Sequence, residues 1–344
     1  MCGGGLAGGG VSWVYARRGA RLRARRRLET KPCEVSRMFD PSTTDLSGST
    51  LLALETVPST NDIAVDAGRA GAEHGWAVRA DLQTAGRGRR GHSWTSPNGS
   101  LYLSIVLRPR VPMQMLMGLP AVTSLGVLDA LEGLGLQGRV GVKWPNDIVS
   151  VPNTIPTPHS SQFNRKLVGI LVEARSSEQG AFAVAGIGAN IISPVDAPPA
   201  SPEVQAAIDA VASVRRAQSD AEGAVAAPGL EPISLAEALP AGAELPTREA
   251  LAAAVRDAVL ARVARWERAI RAGLGADGPL APILSSYMDN LPMLGKPVNV
   301  IAPNGNTLAV GYFTGIDAWG RAEVKLGSGA LKAFSAEVVS LREV

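Results

Sequence analysis

The densest chemical signal in the sequence is the segment from residue 83 to residue 94, in which glycines and arginines alternate. Its three guanidinium groups belong to Arg87, Arg89 and Arg90. Glycine lets backbone N–H groups approach an anion closely, and arginine binds carboxylate or phosphate through paired hydrogen bonds. The segment therefore predicts a loop that folds over an anionic ligand. We expect it to be mobile until a ligand supplies partners for Arg87 and Arg89.

Within this loop Gly86, Gly88 and Gly91 also have the spacing of a dinucleotide-binding fingerprint. That fingerprint must open a helix and precede an acidic residue by about 20 positions. Here a proline and an Asn-Gly turn follow the glycines, and no acidic residue lies near position 111. The spacing is therefore not evidence for a nicotinamide or flavin site.

Two further clusters combine cations with residues that shape a pocket. Residues 143–147 contain a lysine, a tryptophan, a proline, an asparagine and an aspartate, directly after a short strand. Lys166 stands at the head of an apolar strand in which Gly169 allows a ligand or another backbone to approach closely. Taken singly, residues 143–147 would indicate only a turn that buries a tryptophan, and Lys166 would indicate only a solvent-exposed lysine at the start of a strand. Taken with the arginine loop, both indicate one anion-binding site.

The elements that must position these residues follow from hydrophobic periodicity. Only one obvious helical crossover connects the strands, which favours an α+β fold with a largely antiparallel or mixed sheet. An amphipathic helix is predicted from Arg248 to Arg271, and short apolar runs with Asn-Gly and Gly-rich turns after Gly295 predict a small β-barrel. The central strands are predicted at 77–80, 101–107, 166–174 and 182–187, and the central helices at 61–70 and 119–133.

Two segments are predicted to lie at the surface. Residues 151–164 are rich in Ser, Thr, Pro and Asn and indicate an exposed loop. Residues 194–246 are rich in Ala, Pro and Glu, so we expect a surface insertion with some helix at 203–216 and no functional residues. The predicted organisation is an extension at 1–50, a catalytic domain at 51–290 with this insertion, and a C-terminal domain at 291–344.

The distribution of charge argues against a nucleic-acid-binding domain. Residues 1–38 carry a net charge of +7, and because the whole chain carries +3, the other 306 residues carry −4. A DNA-binding domain would carry the positive charge on its folded surface. We therefore predict a disordered basic extension that is dispensable before Met38, and no specific DNA binding. A nucleic-acid-binding protein acting through this extension is one competing interpretation.

Composition also limits the compartment and the cofactors. The chain is 46% hydrophobic, yet the longest apolar candidate noted, Ala181 to Ile192, falls short of the roughly 18 residues that span a membrane. Cys2 and Cys33 are the two cysteines, and the three histidines lack ligand spacing. We expect no membrane association, no zinc site, and a reducing, cytoplasmic location.

The order of the motifs resembles that of biotin–protein ligases. The resemblance covers roughly Leu51 to Ile192 and resumes at residues 337–342, whereas the 151–164 loop and the insertion after Ser193 depart from the family. Because the residues before the match show no helical periodicity, the chain resembles the ligase-only group without a DNA-binding domain. The matching motifs are Ser59-Thr60-Asn61, Gly86 to Gly91 with Trp94, Lys143 to Asp147, Lys166 to Glu173, and Gly186-Ile187-Gly188-Ala189-Asn190.

The resemblance implies roles for individual residues. It implies that Lys166, Arg89 and Asp147 are catalytic, with Asp147 as the Mg²⁺ partner. The implied substrate contacts are Ser59, Thr60, Asn61, Gln83, Gly86, Arg87, Arg89 and Gly169. The implied nucleotide contacts are Arg87, Arg90, Trp94, Lys143, Asn146, Lys166 and Asn190.

The resemblance further implies an SH3-like C-terminal domain, ATP with Mg²⁺, and a biotinyl-5′-AMP intermediate. The implied partner is the biotin carboxyl carrier domain of an acyl-CoA carboxylase or of pyruvate carboxylase. A lipoate or octanoate ligase or transferase of the same fold remains the alternative, since it would differ only in the acyl pocket.

Overall fold

The structure, a computed structural model, describes residues 39–91, 94, 98–151, 154, 165–193, 196–221 and 230–344. The predicted extension before residue 39 and most of the predicted 151–164 loop lie outside the described residues. Within the described part, the protein combines helices with two β-sheets, as predicted for an α+β fold.

The elements agree closely with those predicted for the central region. The first sheet contains β1 (Leu51–Val57), β2 (Ala77–Gln83), β3 (Ser100–Leu107), β4 (Val140–Lys143), β5 (Asp147–Ser150), β6 (Lys166–Ser177) and β7 (Gly180–Asn190). The second contains β8 (Pro297–Ile301), β9 (Thr307–Ile316), β10 (Ala322–Leu326), β11 (Leu331–Phe334) and β12 (Ser340–Glu343). The α-helices are α1 (Thr60–Arg69), α2 (Leu119–Leu131), α3 (Pro202–Ala221), α4 (Leu235–Ala238), α5 (Arg248–Ala269) and α6 (Leu284–Met288).

The first sheet is mixed. Its strand order is β1-β2-β3-β7-β6-β5-β4, in which β1 and β2 are parallel and joined through α1, while every other neighbouring pair is antiparallel. A parallel pair needs a crossover connection, and α1 supplies it. The mixed sheet predicted from the single helical crossover is therefore confirmed.

The side chains of strand β3 point alternately to the two faces of this sheet. Leu101, Leu103 and Ile105 belong to the large core that includes α2 and α5, whereas Val106 belongs to a smaller cluster with α1. Successive strand residues point to opposite faces. Ser104 consequently faces α1, where it contacts Thr60. The α1 face thus carries polar groups in its interior, and this is where the site lies.

Helix α2 belongs to an apolar stretch, Met113–Leu136, that has the length and mean hydropathy, 1.3, of a possible membrane-spanning helix. Among the residues that the structure describes, this stretch, rather than Ala181 to Ile192, is the one that meets the criterion. However, 72% of its most apolar window is buried inside the protein. Asp129 on α2 also forms an ion pair with Arg262 on α5. The stretch is packed as a core helix of this fold.

The second sheet is antiparallel throughout, in the order β11-β10-β9-β8-β12. Its buried residues, including Val298, Phe313 and Leu341, join the same hydrophobic core as the first sheet. The indole N–H of Trp144 donates to the carbonyl of Gly320 at 3.0 Å. The predicted boundary at residue 291 separates the two sheets in sequence, but their inner faces share one core.

The segment predicted to be a disordered extension, residues 1–50, includes residues at its carboxyl end that pack on the fold. Residues 39–50 form turns that pack on the first sheet: Phe39 contacts the ring of Trp76, and the indole N–H of Trp76 donates to the carbonyl of Asp45 at 2.8 Å. Disorder up to residue 50 is therefore wrong for this segment, because Trp76 offers it an apolar surface and a hydrogen-bond donor.

Candidate active site

A cavity of about 900 Å³ opens on the α1 face of the first sheet, where β3, β6 and β7 meet the C-terminal strand β12. Segments that are far apart in sequence meet in its wall. Thirteen of the fifteen predicted site residues line it, which brings the motifs into one place: Ser59, Thr60, Asn61, Gln83, Arg87, Arg89, Arg90, Trp94, Lys143, Asn146, Asp147, Lys166 and Gly169.

One end of the cavity is formed by the start of α1. Ser59, Thr60 and Asn61 are buried there, with Ser59 as the extended residue that precedes the helix. Gln83, at the end of the parallel strand β2, accepts hydrogen bonds from the Thr60 backbone N–H at 2.8 Å and from its hydroxyl at 3.1 Å. The parallel pairing of β1 and β2 places Gln83 beside this helix start. These hydrogen bonds hold the Gln83 amide in one orientation.

Ser104 on β3 extends this set of hydrogen bonds. Its hydroxyl lies 2.8 Å from the Thr60 hydroxyl and 2.6 Å from Asn61 Oδ1, and Asn61 Nδ2 donates to Glu173 Oε2 at 2.9 Å. An amide oxygen only accepts hydrogen bonds, so Ser104 donates its proton to Asn61. A buried network of this kind favours a single arrangement of its members. The α1 end of the cavity is therefore rigid.

Glu173 also binds the arginine loop. Its carboxylate is largely buried and accepts from Arg87 at 3.0 Å and from Arg175 at 2.7 Å. Arg87 donates in addition to Asp62 at 2.6 Å, and burial raises the pKa of Asp62 while Arg87 opposes that shift. Arg87 thus has anionic partners within the protein, so a ligand is not required to supply them.

Glycines form the floor of the cavity. Gly169 and Gly188 are neighbours across β6 and β7, and a Cβ atom would lie 2.3 Å from the Trp94 ring at Gly169 and 2.7 Å from it at Gly188. Neither position can carry a side chain while Trp94 keeps this place. The close approach predicted at Gly169 is present, but the group in contact is the indole of Trp94. The ammonium of Lys166 lies 4.8 Å from the centre of the same ring.

Cations cluster around Asp147 at the other end of the cavity. Lys166 Nζ lies 2.7 Å from Asp147 Oδ1, and Lys143 is paired with Asp147 across β4 and β5. Burial lowers the pKa of Lys143, Asp147 opposes this shift, and the charges of Lys166 and Arg342 reinforce it. The charge of Glu343 also opposes this shift, so Lys143, Lys166 and Arg342 lie beside two carboxylates, those of Asp147 and Glu343. Such a cluster favours the binding of a further anion.

Arg89 and Arg90 connect the loop to the second sheet. Arg89 donates to the carbonyl of Ala336 at 3.0 Å, to Glu337 Oε1 at 2.9 Å and to Asn146 Oδ1 at 3.4 Å. Arg90 also donates to the carbonyl of Ala336, from a left-handed backbone conformation with φ of 54°. The three arginines therefore hold the loop between the first sheet and the C-terminal segment.

Residues 230–239 complete the wall, although a surface insertion was expected for 194–246. Glu231 lines the cavity, the Lys166 backbone N–H donates to its carbonyl at 2.7 Å, and the Ile233 N–H donates to the Lys166 carbonyl at 3.0 Å. Ile233 is buried in the main core. The expectation of a surface insertion without a role at the site is wrong for this segment, because it pairs with the start of β6 through a parallel β-bridge between Pro232 and Lys166.

Asn190 and Gly86 are the predicted site residues that do not line the cavity. Asn190 Nδ2 donates to the carbonyls of Lys166 and Ile233, at 3.2 and 3.3 Å, and the carbonyl of Gly86 accepts from the Trp94 N–H at 3.0 Å. Asn190 therefore ties the segment at residue 233 to β6, and Gly86 closes the base of the loop. Their predicted ligand contacts are not supported by this geometry.

Sequence reasoning assigned no site role to Ser104 and Glu173, which bind the cavity-lining residues at α1 and Arg87, or to the strand β12. A serine within an apolar strand signals a buried polar group that needs a partner, and this signal could have identified Ser104. Glu173 ends an apolar run and gives the same signal. The contribution of β12, whose residues Ser340 to Glu343 line the cavity, depends on how the second sheet packs and has no local signal.

The donor groups near Asp147 fit a metal ion that arrives with phosphate. No cluster of three or more His, Cys, Asp or Glu residues suited to a metal occurs in the part of the chain that the structure describes. Mg²⁺ commonly binds through one or two carboxylates together with substrate phosphates and water. Asp147, which faces the cavity beside Lys166, could supply such a carboxylate.

Residues 53–190 match the biotin/lipoate A/B protein ligase family, and residues 293–342 match the biotin protein ligase C terminal domain. A biotin–[acetyl-CoA-carboxylase] ligase of Paracoccus denitrificans is 30% identical over 263 residues, which cover 76% of this chain and 88% of that protein. The bifunctional ligase/repressor BirA of Bacillus subtilis is 33% identical over 151 residues. That match covers 43% of this chain, and the chain spans 42% of the length of that relative.

A solved structure agrees in fold. The biotin protein ligase from Aquifex aeolicus in complex with biotin and ATP superposes with a TM-score of 0.58 at 22% identity, covering 86% of this chain and 100% of that one. The mixed sheet with a second antiparallel sheet is thus an architecture that both proteins share. Together with the Paracoccus relative and the two matched regions, this places the chain in the biotin/lipoate A/B protein ligase family.

Proposed function

We propose that this protein is an ATP-dependent biotin–protein ligase. It forms biotinyl-5′-AMP from biotin and ATP, and then transfers biotin to a lysine of the biotin carboxyl carrier domain of an acyl-CoA carboxylase or of pyruvate carboxylase. The observation that carries the proposal is one cavity in which a rigid polar pocket at α1 adjoins a cluster of cations around Asp147. The Paracoccus relative is named as a biotin ligase, and the Aquifex structure contains biotin and ATP.

The two ends of the cavity suit the two substrates. The buried hydroxyls and amides at α1 can bind the polar ring of biotin, and the cations at the opposite end can bind the nucleotide phosphates. The residues proposed for biotin are Ser59, Thr60, Asn61, Gln83, Arg87 and Gly169. The residues proposed for the nucleotide are Arg87, Arg89, Arg90, Trp94, Lys143, Asn146 and Lys166.

The first step is acyl activation. A carboxylate oxygen of biotin attacks the α-phosphorus of ATP, the bond to the bridging oxygen breaks, and pyrophosphate leaves with the bonding electrons. The role of the protein is alignment of the reactants and stabilisation of the charge that develops on the phosphate oxygens. Lys166 and Arg89 are the proposed catalytic cations, because both line the cavity beside Asp147 and Asn146.

The second step is aminolysis of the mixed anhydride. The deprotonated lysine amine attacks the carbonyl carbon, an amide C–N bond forms and the bond to the phosphate oxygen breaks. AMP leaves as an anion, and the second proton of the amine passes to solvent. The same cations that stabilise the first transition state can stabilise the leaving phosphate.

Mg²⁺ is the proposed metal, and when bound with ATP it neutralises charge on the phosphate oxygens. Asp147 is its proposed protein ligand, directly or through water. Because Lys166 already pairs with Asp147, the carboxylate is held at the phosphate end of the cavity.

The proposed organisation is a catalytic domain at 51–290 with an insertion at 194–246, followed by an SH3-like domain at 291–344. The five antiparallel strands of the second sheet support this last element. We further propose a cytoplasmic location, where carboxylases with a carrier domain would be available.

One assay tests the function. The protein is incubated with ATP, Mg²⁺ and either biotin or lipoate, and both pyrophosphate release and label transfer to a purified carrier domain are followed. We expect release and transfer with biotin. Activity with lipoate alone would favour the lipoate ligase alternative, and no release with either acid would overturn the proposal.

A further inference from the structure

Glu173, on β6, is a largely buried carboxylate that lies behind the wall of the 900 Å³ cavity, called the reaction cavity below. Its side chain is 14% exposed, and it is not among the residues that line this cavity. Its Oε2 accepts hydrogen bonds from Asn61 at 2.9 Å and from Arg87 at 3.0 Å. Its Oε1 accepts from Arg175 at 2.7 Å. Glu173 can therefore act on the pocket only through neighbouring side chains.

The contact with Glu173 decides the orientation of the Asn61 amide. An ionised carboxylate only accepts hydrogen bonds, whereas an amide presents an acceptor on one side and a donor on the other. The Asn61 nitrogen must therefore face Glu173, which leaves Asn61 Oδ1 toward the Ser104 hydroxyl at 2.6 Å. Ser104 alone could not make this choice, because a hydroxyl can either donate or accept.

Gly186 provides the space that the Asn61 amide occupies. It is paired with Ser104 across β3 and β7, and a Cβ atom at this glycine would lie 2.1 Å from Asn61 Oδ1. The amide is thus held by a carboxylate from β6, a hydroxyl from β3 and the bare backbone of β7. An amide nitrogen carries two protons, and Glu173 accepts one of them. The direction of the second proton is then fixed as well.

We propose that Glu173 is a positioning residue: it orients the Asn61 amide so that the second N–H proton is donated to an acceptor on the acid substrate. This inference rests on the proposed function, in which the acid is biotin and the acceptor is the carbonyl oxygen of its cyclic urea. Asn61 lines the reaction cavity and is buried, so its orientation is set before the acid binds. The dithiolane ring of lipoate has no oxygen acceptor, so the same orientation favours biotin.

A double-mutant cycle tests whether Glu173 acts through Asn61. Glu173→Leu, Asn61→Ala and the double variant are compared by KM for biotin, KM for ATP and kcat, all measured from pyrophosphate release. We expect Glu173→Leu to raise KM for biotin about tenfold, equivalent to one buried hydrogen bond, with KM for ATP and kcat unchanged. In the Asn61→Ala background, the same change should raise KM for biotin by less than about twofold. Independent effects that multiply in the double variant would overturn the inference.

Two further variants separate the hydrogen bond from the charge. In Glu173→Gln the amide oxygen can take the place of Oε2, where two donors meet, so KM for biotin should rise by less than about threefold. Asp62→Asn is the matched control, because Asp62 is the other carboxylate that accepts from Arg87, at 2.6 Å, and it is not bonded to the Asn61 side chain. It should leave KM for biotin unchanged.

Each contrary outcome has a distinct meaning. An equal rise in KM for biotin in Glu173→Gln and Glu173→Leu would overturn the inference, since charge alone would then matter. A rise in Asp62→Asn as large as that in Glu173→Leu would overturn it in favour of an effect through Arg87. A lowered melting temperature with parallel losses in kcat and in KM for ATP would show that Glu173 has only a structural role. Absence of pyrophosphate release by the unaltered protein would overturn the proposed function, whereas normal release with an unchanged KM for biotin in Glu173→Leu would overturn the inference alone.

Discussion

The two ends of the reaction cavity are built in different ways. At the α1 end, buried groups from α1, β2, β3 and β6 bind one another through short hydrogen bonds, such as that from Ser104 to Asn61 at 2.6 Å. At the opposite end, which is proposed to bind phosphate and is called the phosphate end below, Arg89 donates to Glu337, a residue 248 positions away whose side chain is mostly exposed. The first end is organised before a substrate binds, and the second can change its partners.

The two ends also differ in the free energy that is lost when one of their hydrogen bonds or ion pairs is removed. Removing one member of a buried network leaves its partners without hydrogen bonds, which costs about 1–3 kcal/mol. An exposed ion pair contributes about 0–1 kcal/mol, so an incoming phosphate can displace it. Recognition of the acid is thus expected to depend on rigid geometry, whereas phosphate binding and transfer depend on side chains that exchange partners.

The largest effect is expected from Lys166→Ala, at the phosphate end. Lys166 combines an ion pair with Asp147 and a contact with the Trp94 ring, and its loss removes charge from the reacting phosphate. We expect adenylate formation to slow on the order of 10²-fold or more, with a modest change in thermal stability. Pyrophosphate release followed in single turnover measures this. An unchanged rate would show that Lys166 is only a charged residue at the start of β6 and takes no part in adenylate formation.

Ser104→Ala tests the rigid end. Loss of the hydroxyl leaves Asn61 Oδ1 without its donor while Nδ2 stays bound to Glu173, so the amide is held less firmly. We therefore expect KM for biotin to rise by about tenfold, equivalent to one buried hydrogen bond, with kcat and KM for ATP unchanged. The control is Ser100→Ala on the same strand, because the buried Ser100 hydroxyl has no hydrogen-bond partner among the described residues. Equal effects of both changes on KM for biotin would assign Ser104 a purely structural role.

Arg89→Gly tests whether the loop retains the intermediate. Without Arg89 the loop loses its bonds to Ala336 and Glu337, and the site loses one of its two proposed catalytic cations. Adenylate should therefore form more slowly, but a larger share of it should escape and label bystander proteins. Biotin transfer to a non-cognate protein measures this, and trypsin cleavage of the loop with and without biotin plus ATP reports its closure. Glu337→Gln, which removes only the exposed ion pair, should cause little bystander labelling. No labelling by Arg89→Gly would show that the loop does not retain the adenylate.

The smallest effect is expected from Lys143→Met. Burial lowers the pKa of Lys143, so the folded state disfavours its charge, and the penalty is present below that pKa. At neutral pH, Met should raise the melting temperature by roughly 2 °C, about 1 kcal/mol for a domain of this size, while weakening ATP binding. The gain in melting temperature should disappear as the pH rises through the ordinary range of lysine pKa values. Lys143→Arg, which keeps the charge, should show no gain; a gain there would contradict the burial explanation.

Local pattern predicted much of the fold and identified many of the residues that line the candidate cavity. Helix α1 was expected at 61–70 and lies at Thr60–Arg69, and β3 was expected at 101–107 and lies at Ser100–Leu107. Hydrophobic periodicity depends on neighbours in sequence, so it can be recognised without the fold. The glycine and arginine loop could be identified for the same reason, since its chemistry lies within a few consecutive residues.

Contacts between distant segments could not be predicted in this way. The role of residues 230–239 beside Lys166, the place of Asn190 behind the cavity, and the bonds of Arg89 to residues 336–337 depend on packing that no local pattern records.

The sequence alone thus determined which groups are available: the hydroxyls and amides at the start of α1, the glycine- and arginine-rich loop, and the lysines near Asp147. The tertiary structure decided which of them share a cavity and which partner each one has. The physical reason is that propensity and periodicity act over a few residues, whereas a hydrogen bond or an ion pair requires two groups within about 3–4 Å. The packing of the two sheets on one core sets those distances.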